Sequence, residues 1–247
     1  MQQLDELFSE YGREAYIHAK RLYVPKFMAD QNEQVTKAVM DVLPQGGRVI
    51  YPGCGTGIVL QKIIEQDPTV AAIGFDIAQG MIDKAIETTD PRIKYLLGDA
   101  QEPNPGLYGT AEVVILKNSL YFLDPEIAIP RMADLLRPQG HLVFTTFQHL
   151  DPQTMKDRLW GTALYDVKER PKDEFAAGDI TQAQLDEVLA SVDLEVFYQT
   201  QILSFIRPSL QFPVLKGLLM SSSFSNVELL DPNHYADTMY LIRAQKQ

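Results

Sequence analysis

With 247 residues, 45% of them apolar, the chain is long enough to bury one sizeable core, and a single α/β domain is the expectation. Its 33 acidic side chains against 22 basic ones, a formal charge of −11, oppose association with phosphate backbones or anionic lipid, so neither nucleic acid nor a membrane surface is an expected partner. One cysteine and four scattered histidines exclude an internal disulfide and argue against a metal site; no apolar run reaches about eighteen residues and the start Met1-Gln2-Gln3-Leu4-Asp5-Glu6 is acidic, so a cytoplasmic location is expected.

Residues 4–43 read as two helices. Leu4, Leu7, Phe8, Tyr11 and Ala15 recur at three and four, Pro25 breaks the pattern, and Val35, Val39 and Val42 resume it. This helical cap, residues 1–43, precedes a short apolar strand, Val49 to Tyr51, which runs into Pro52-Gly53-Cys54-Gly55-Thr56-Gly57 and then a helix start at Ile58. Glycine lacks a Cβ, so such a turn reaches left-handed backbone angles and lets a ligand lie against the main chain. The third glycine comes two residues after the second, whereas the dinucleotide fingerprint needs it three after, where Ile58 stands. That spacing argues against NAD.

Strands and helices then alternate: Ala71 to Asp76, a helix around Met81 to Ile86, Ile93 to Leu97, Val113 to Leu116, a helix from Pro125, and Leu142 to Phe147. Near-continuous apolar strands between helices predict a parallel sheet covered on both faces. Leu194 to Tyr198 and Met239 to Ile242 read as two further strands, the first preceded by a helix from Thr181 to Ala190. The long connections 149–179 and 201–234 are expected to build a substrate pocket, with Trp160, Phe205, Phe212, Leu215, Leu218, Leu219 and Phe224 as an apolar wall, a helix facing the core, or a dimer contact.

The glycine turn, Asp76 ending the second strand, Gly98-Asp99-Ala100 after the third, and Leu135 to Gly140 before the fifth together make the chain resemble the class I, Rossmann-like, S-adenosylmethionine-dependent methyltransferases of small-molecule type. That resemblance is clear over about residues 45–147 and looser elsewhere. It implies a doubly wound, seven-stranded, mostly parallel α/β sheet with the last strand inserted antiparallel between the fifth and sixth. It also implies a cofactor-binding core at 44–147, with substrate-side elements and the last two strands in 148–247.

In open α/β sheets ligands bind beyond the carboxyl ends of the strands. Gly53, Cys54, Gly55 and Gly57 are expected to approach the methionyl part and ribose of S-adenosylmethionine, and Asp76 to accept from the ribose hydroxyls. Ile77 and Met81 are placed to sandwich the adenine or to be ordinary core, and a helix cap is the lesser alternative for Asp76. The resemblance gives Asp99 and the N–H of Ala100 to the adenine, the backbone carbonyl of Lys117 and the side chain of Asn118 to the methionyl end. One departure stands out: relatives carry Asp or Glu where this chain has Tyr51, and tyrosine supplies no charge for the cofactor's ammonium group.

In-line methyl transfer from a sulfonium needs alignment more than a base, since orientation is worth roughly 7–11 kcal/mol and a general base adds about 10²- to 10⁴-fold. His149 and His18 are the candidate bases for a hydroxyl acceptor, while His141 sits at the wrong edge of its strand. Tyr11, Tyr16 and Tyr121 either line the acceptor site or belong to the core, and Cys54 is read as packing. The expected function is methyl transfer to oxygen, nitrogen or carbon of a small, partly apolar metabolite, with a homo-oligomer left open. Two alternatives accompany it: a cofactor-binding catalyst of rearrangement or cyclisation on the same fold, and a partner-dependent binding module.

Overall fold

The computed structural model describes residues 5–10, 26–148, 168–190, 192–193, 201, 205–207, 210–233 and 239–247. Residues 5–10 are helical. After them, in chain order, come α1 (Lys26–Met40), β1 (Arg48–Pro52), α2 (Ile58–Gln66), β2 (Ala71–Asp76), α3 (Gln79–Thr88) and β3 (Lys94–Leu97). The single-turn α4 (Pro105–Tyr108), β4 (Ala111–Leu116), α5 (Pro125–Asp134), β5 (Leu136–Phe147), α6 (Arg170–Ala177), α7 (Gln182–Leu189), α8 (Phe212–Ser221), β6 (Phe224–Asn233) and β7 (Met239–Lys246) complete it.

The strands form one seven-stranded sheet in the order β3-β2-β1-β4-β5-β7-β6. β1 to β5 pair in parallel, while β7 runs antiparallel to both β5 and β6, so the last strand does insert between the fifth and sixth. Strand order reverses at β1, where β2 lies on one side and β4 on the other. This switch point is where an open α/β sheet leaves a crevice beyond its strand ends.

Burial explains the apolar runs. Val113, Val114, Ile115 and Leu116 are all fully buried, because helices cover both faces of β4. Val113 and Ile115 join Val49, Tyr51, Val143 and Leu241 in a core packed by Val35 and Val39 of α1 and by Leu60 and Ile63 of α2. Val114 and Leu116 face the opposite layer, with Ile129 and Met132 of α5 and Leu215 and Leu219 of α8. Each such aliphatic side chain contributes about 1.5–3 kcal/mol relative to exposure. The helix at Thr181 starts as expected, with a capping box between Thr181 and Gln184.

Three expectations are corrected. β5 begins at Leu136 rather than Leu142: its first residues are paired to β4 through an irregular register, with Gln139 at φ 66° bending the entry. The sixth strand is Phe224–Asn233, which the sequence reading left inside a connection; Leu194 to Tyr198 falls outside the described residues. Leu215, Leu219 and Phe224 are fully or almost fully buried in the core, and Phe212 and Leu218 pack against it, so α8 is the core-facing helix of the three options, with Leu215 also lining a cavity beside Leu120, Tyr121 and Thr146. Trp160 lies outside the described residues.

Candidate functional site

β1 ends in a turn whose three glycines all have positive φ, 64° at Gly53, 54° at Gly55 and 75° at Gly57. They are not equivalent. A Cβ on Gly55 would meet nothing within 4 Å, so this stretch of main chain faces an open space. A Cβ on Gly57 would stand 1.9 Å from the Tyr95 hydroxyl, so there the missing side chain makes room for β3 packing at the start of α2. At Gly53 the obstacle would be Ser119 Cβ at 2.9 Å, which puts the segment after β4 directly against the turn.

Backbone hydrogen bonds fix the neighbouring strand ends. Cys54 N–H donates to the Phe75 carbonyl at 3.1 Å, and Gly98 N–H donates to the Asp76 carbonyl at 2.9 Å. The ends of β1, β2 and β3 therefore converge, bringing Asp76 and Asp99 to adjacent rims of one crevice.

Asp76 is half-buried. Its Oδ2 accepts from Gly55 N–H at 2.9 Å and its Oδ1 from Ala78 N–H at 3.0 Å. Burial raises its pKa, with the N–H groups of Ala78, Gly55 and Ile77 pulling the other way. A carboxylate offers about four lone-pair sites, so this one keeps acceptor capacity while anchoring the turn. Asp99 is also half-buried; its Oδ1 accepts from Gln101 N–H at 2.8 Å. Its loop is backed by Tyr108, whose ring stacks on Phe75 at 4.1 Å and 5° and whose hydroxyl would lie 2.2 Å from a Cβ at Gly98. Ala100 is buried in the core beside them.

Ile77 is half-buried in the turn after β2, whereas Met81 is 4% exposed and packs with Ala78, Leu7, Phe8 and Phe122. The helical residues 5–10 sit on the start of α3, where a Cβ at Gly80 would lie 2.0 Å from the Ser9 carbonyl. Cys54 is buried, and burial, with the nearby Asp76 charge second, pushes its thiol well up. A neutral, enclosed thiol is no nucleophile.

The segment after β4 forms the other rim. The Tyr51 hydroxyl, in a side chain 4% exposed, donates to the Lys117 carbonyl at 3.3 Å. Asn118 adopts φ 55°; its N–H donates to Thr145 Oγ1 at 2.8 Å and its Oδ1 accepts from that hydroxyl at 3.0 Å. Ser119, which the sequence reading did not select, carries a buried Oγ with no hydrogen-bond partner, a group that calls for a ligand or water. Only the tight turn through Asn118 brings it there, and no local residue pattern announces that. His149, His18, Tyr11 and Tyr16 fall outside the described residues. Tyr121 lies at ring distances of 4.3 Å from Phe147 and 4.6 Å from Phe122, and His141 sits within β5 opposite Val113 and Gln245.

These features fit a nucleoside whose tail is a short amino acid: a bare main-chain face at Gly55, carboxylates on adjacent strand ends, and an orphan hydroxyl opposite. Fold and site together describe a doubly wound α/β sheet whose candidate binding residues gather at its switch point. Comparison with known proteins agrees. The methyltransferase domain family matches residues 49–140, which span β1 to the bend in β5. A malonyl-[acyl-carrier protein] O-methyltransferase of Anoxybacillus flavithermus is 30% identical over 109 residues, covering 40% of this chain and 41% of that protein. A homologue of the same description from Ilyobacter polytropus is 21% identical over 227 residues, 87% of this chain and 78% of its own length. The chain thus spans about two fifths of the first curated relatives it matches.

Among solved structures, the methyltransferase complexed with the Trm112 activator of Haloferax volcanii superposes with a TM-score of 0.61 at 13% identity, covering 97% of both chains. Human N-acetylserotonin methyltransferase in complex with SAM superposes at 0.53 with 17% identity, over 90% of this chain and 55% of that one. The methyltransferase domain family thus matches the stretch from β1 to β5, and these solved structures share the chain's fold. Among the described residues no helix is long and apolar enough to cross a membrane.

Proposed function

We propose that the protein transfers the methyl group of S-adenosylmethionine to a small, partly apolar acceptor. The observation that carries this reading is the coupling of Asp76 to Gly55: one carboxylate holds the glycine turn by its N–H at 2.9 Å and keeps capacity for a vicinal diol, beside main chain that faces open space. In this reading Asp76 holds the ribose, Asp99 receives the adenine amino group, Ile77 lies against the ring with Met81 supporting it from the core, and Ala100 offers its N–H. Gly53, Cys54, Gly55 and Gly57 line the sugar and methionyl side with backbone, and Lys117, Asn118 and Ser119 close the far rim.

Bound S-adenosylmethionine supplies an electrophilic methyl group on a sulfonium. What this chain adds is alignment and exclusion of water, which the buried strand ends and the packed glycine turn favour. The names of the curated relatives support an oxygen nucleophile as acceptor, and they favour transfer over the rearrangement and binding-module alternatives. His149 and His18 are the proposed bases where the acceptor needs one.

Calorimetry with S-adenosylmethionine and with NAD tests the cofactor, and the expected result is heat from the first alone. Incubation with candidate acceptors, followed by assay for S-adenosylhomocysteine, tests transfer. No binding of S-adenosylmethionine at millimolar concentration would defeat the reading.

A further inference from the structure

Lys117 is the charged side chain that the fold and the proposed cofactor chemistry leave unexplained. It follows directly on β4, continuing the alternation of Val113 and Ile115 on the face covered by α1. It is only 8% exposed, yet no hydrogen bond or ion pair of its ammonium is formed within the described residues. Its surroundings are neutral. Tyr51 stands on the same face, where its hydroxyl donates to the Lys117 carbonyl, and no charged neighbour among the described residues acts on the lysine.

An enclosed ammonium without an anion is costly, and desolvation alone lowers its pKa to about 8. Two neighbouring groups point to what is missing. Ser119 Oγ is buried without a partner, and Asn118, whose Oδ1 is occupied by Thr145, retains two amide protons with no acceptor among the described residues. The ammonium and the amide NH₂ can only donate, and the hydroxyl can donate as well as accept, so within three consecutive residues all three groups can serve a carboxylate.

Resting on the cofactor reading above, we propose that Lys117, with Asn118 and Ser119, makes the methionyl end of this crevice a carboxylate site, so that the ligand is held there by its α-carboxylate rather than by its α-amine. Tyr51 beside Lys117 supplies no negative charge, so among the described residues this rim offers a cation and no anion to an occupant. The carboxylate would replace the missing counter-ion and also offset repulsion between Lys117 and a sulfonium.

The test uses neutral thioethers, so that sulfonium charge plays no part. Binding of S-adenosylhomocysteine, its decarboxylated analogue and its deaminated analogue is measured by calorimetry on the full chain and on Lys117→Met, with Lys117→Arg as a charge-keeping control. Removing the carboxylate is expected to weaken binding about tenfold or more, removing the amine less than about threefold, and Lys117→Met to bring the carboxylate effect below about threefold while Lys117→Arg retains it. A larger loss from removing the amine than the carboxylate overturns the assignment, as does an unchanged carboxylate preference in Lys117→Met. Binding of none of the three to the unmodified chain overturns the cofactor reading itself, and the assignment with it.

Discussion

The two ends of the crevice follow different logic. At the end proposed for the nucleoside, β2 finishes in Asp76 and Asp99 follows β3 by two residues, and the carboxylate of Asp76 is integrated into the backbone through Gly55 and Ala78. At the end proposed for the methionyl group, Tyr51 near the end of β1 donates to the carbonyl of Lys117 just after β4, and the Lys117 ammonium and Ser119 hydroxyl have no partner among the described residues. The first end is built to be rigid before anything binds. The second pays in stability for groups that only a ligand completes, as functional sites commonly do.

The framework shared by both ends should be the most sensitive. Gly57→Ala adds a Cβ into the Tyr95 ring and hydroxyl at a backbone φ of 75°, so a loss of about 3 kcal/mol or more is expected in denaturant unfolding, with Gly55→Ala, facing open space, costing only about 1 kcal/mol. Equal losses at the two glycines would dissolve the distinction between the packed and open sides of the turn.

Lys117→Met should move the other way, stabilising the ligand-free protein by roughly 3 kcal/mol at pH 7. The folded-state pKa of about 8 lies below the unfolded value of 10.5, so below pH 8 the folded chain bears the full penalty of a buried charge. Between those values only the unfolded chain holds the proton, and wild-type stability rises with pH. The advantage of the methionine variant should therefore be constant below pH 8 and shrink toward pH 10.5, read as ΔTm or ΔΔG across a pH series.

Asp76→Asn should weaken S-adenosylmethionine binding by about 1.5–3 kcal/mol. Wild-type affinity should also fall on acidification from a pH above the ordinary carboxylate range, because the raised pKa of Asp76 brings protonation earlier; the asparagine variant should lack that acid limb. Tyr51→Phe should be the mildest, costing under about 1 kcal/mol of stability through a 3.3 Å hydrogen bond to the Lys117 carbonyl. A large effect on methionyl affinity from this change would shift the charge argument from Lys117 to the tyrosine hydroxyl.

The glycine turn and Asp76 were legible in the sequence because each part is local: a strand, a turn that demands glycine, and an acid at the next strand end. The opposite rim, at Tyr51 and Lys117, was less so. Ser119 became visible once the positive φ of Asn118 folded it against Gly53, a contact that periodicity does not encode. The sixth strand escaped for a related reason. Phe224–Asn233 is an edge strand with two register breaks, so it reads as mixed polar and apolar residues, while α8 before it carries the stronger apolar signal, read as a pocket wall, a core-facing helix or a dimer contact. Fully covered strands such as β4 announce themselves; half-covered edges do not.

Cys54 gives the protein a built-in clock. Because the chain's one thiol is enclosed within the glycine turn and held neutral, alkylating reagents can reach it only when that turn transiently swings away from β2. Its labelling rate under native conditions therefore times the breathing of the hinge on which the crevice is built, and any occupant that rests on Gly55 should slow the tick.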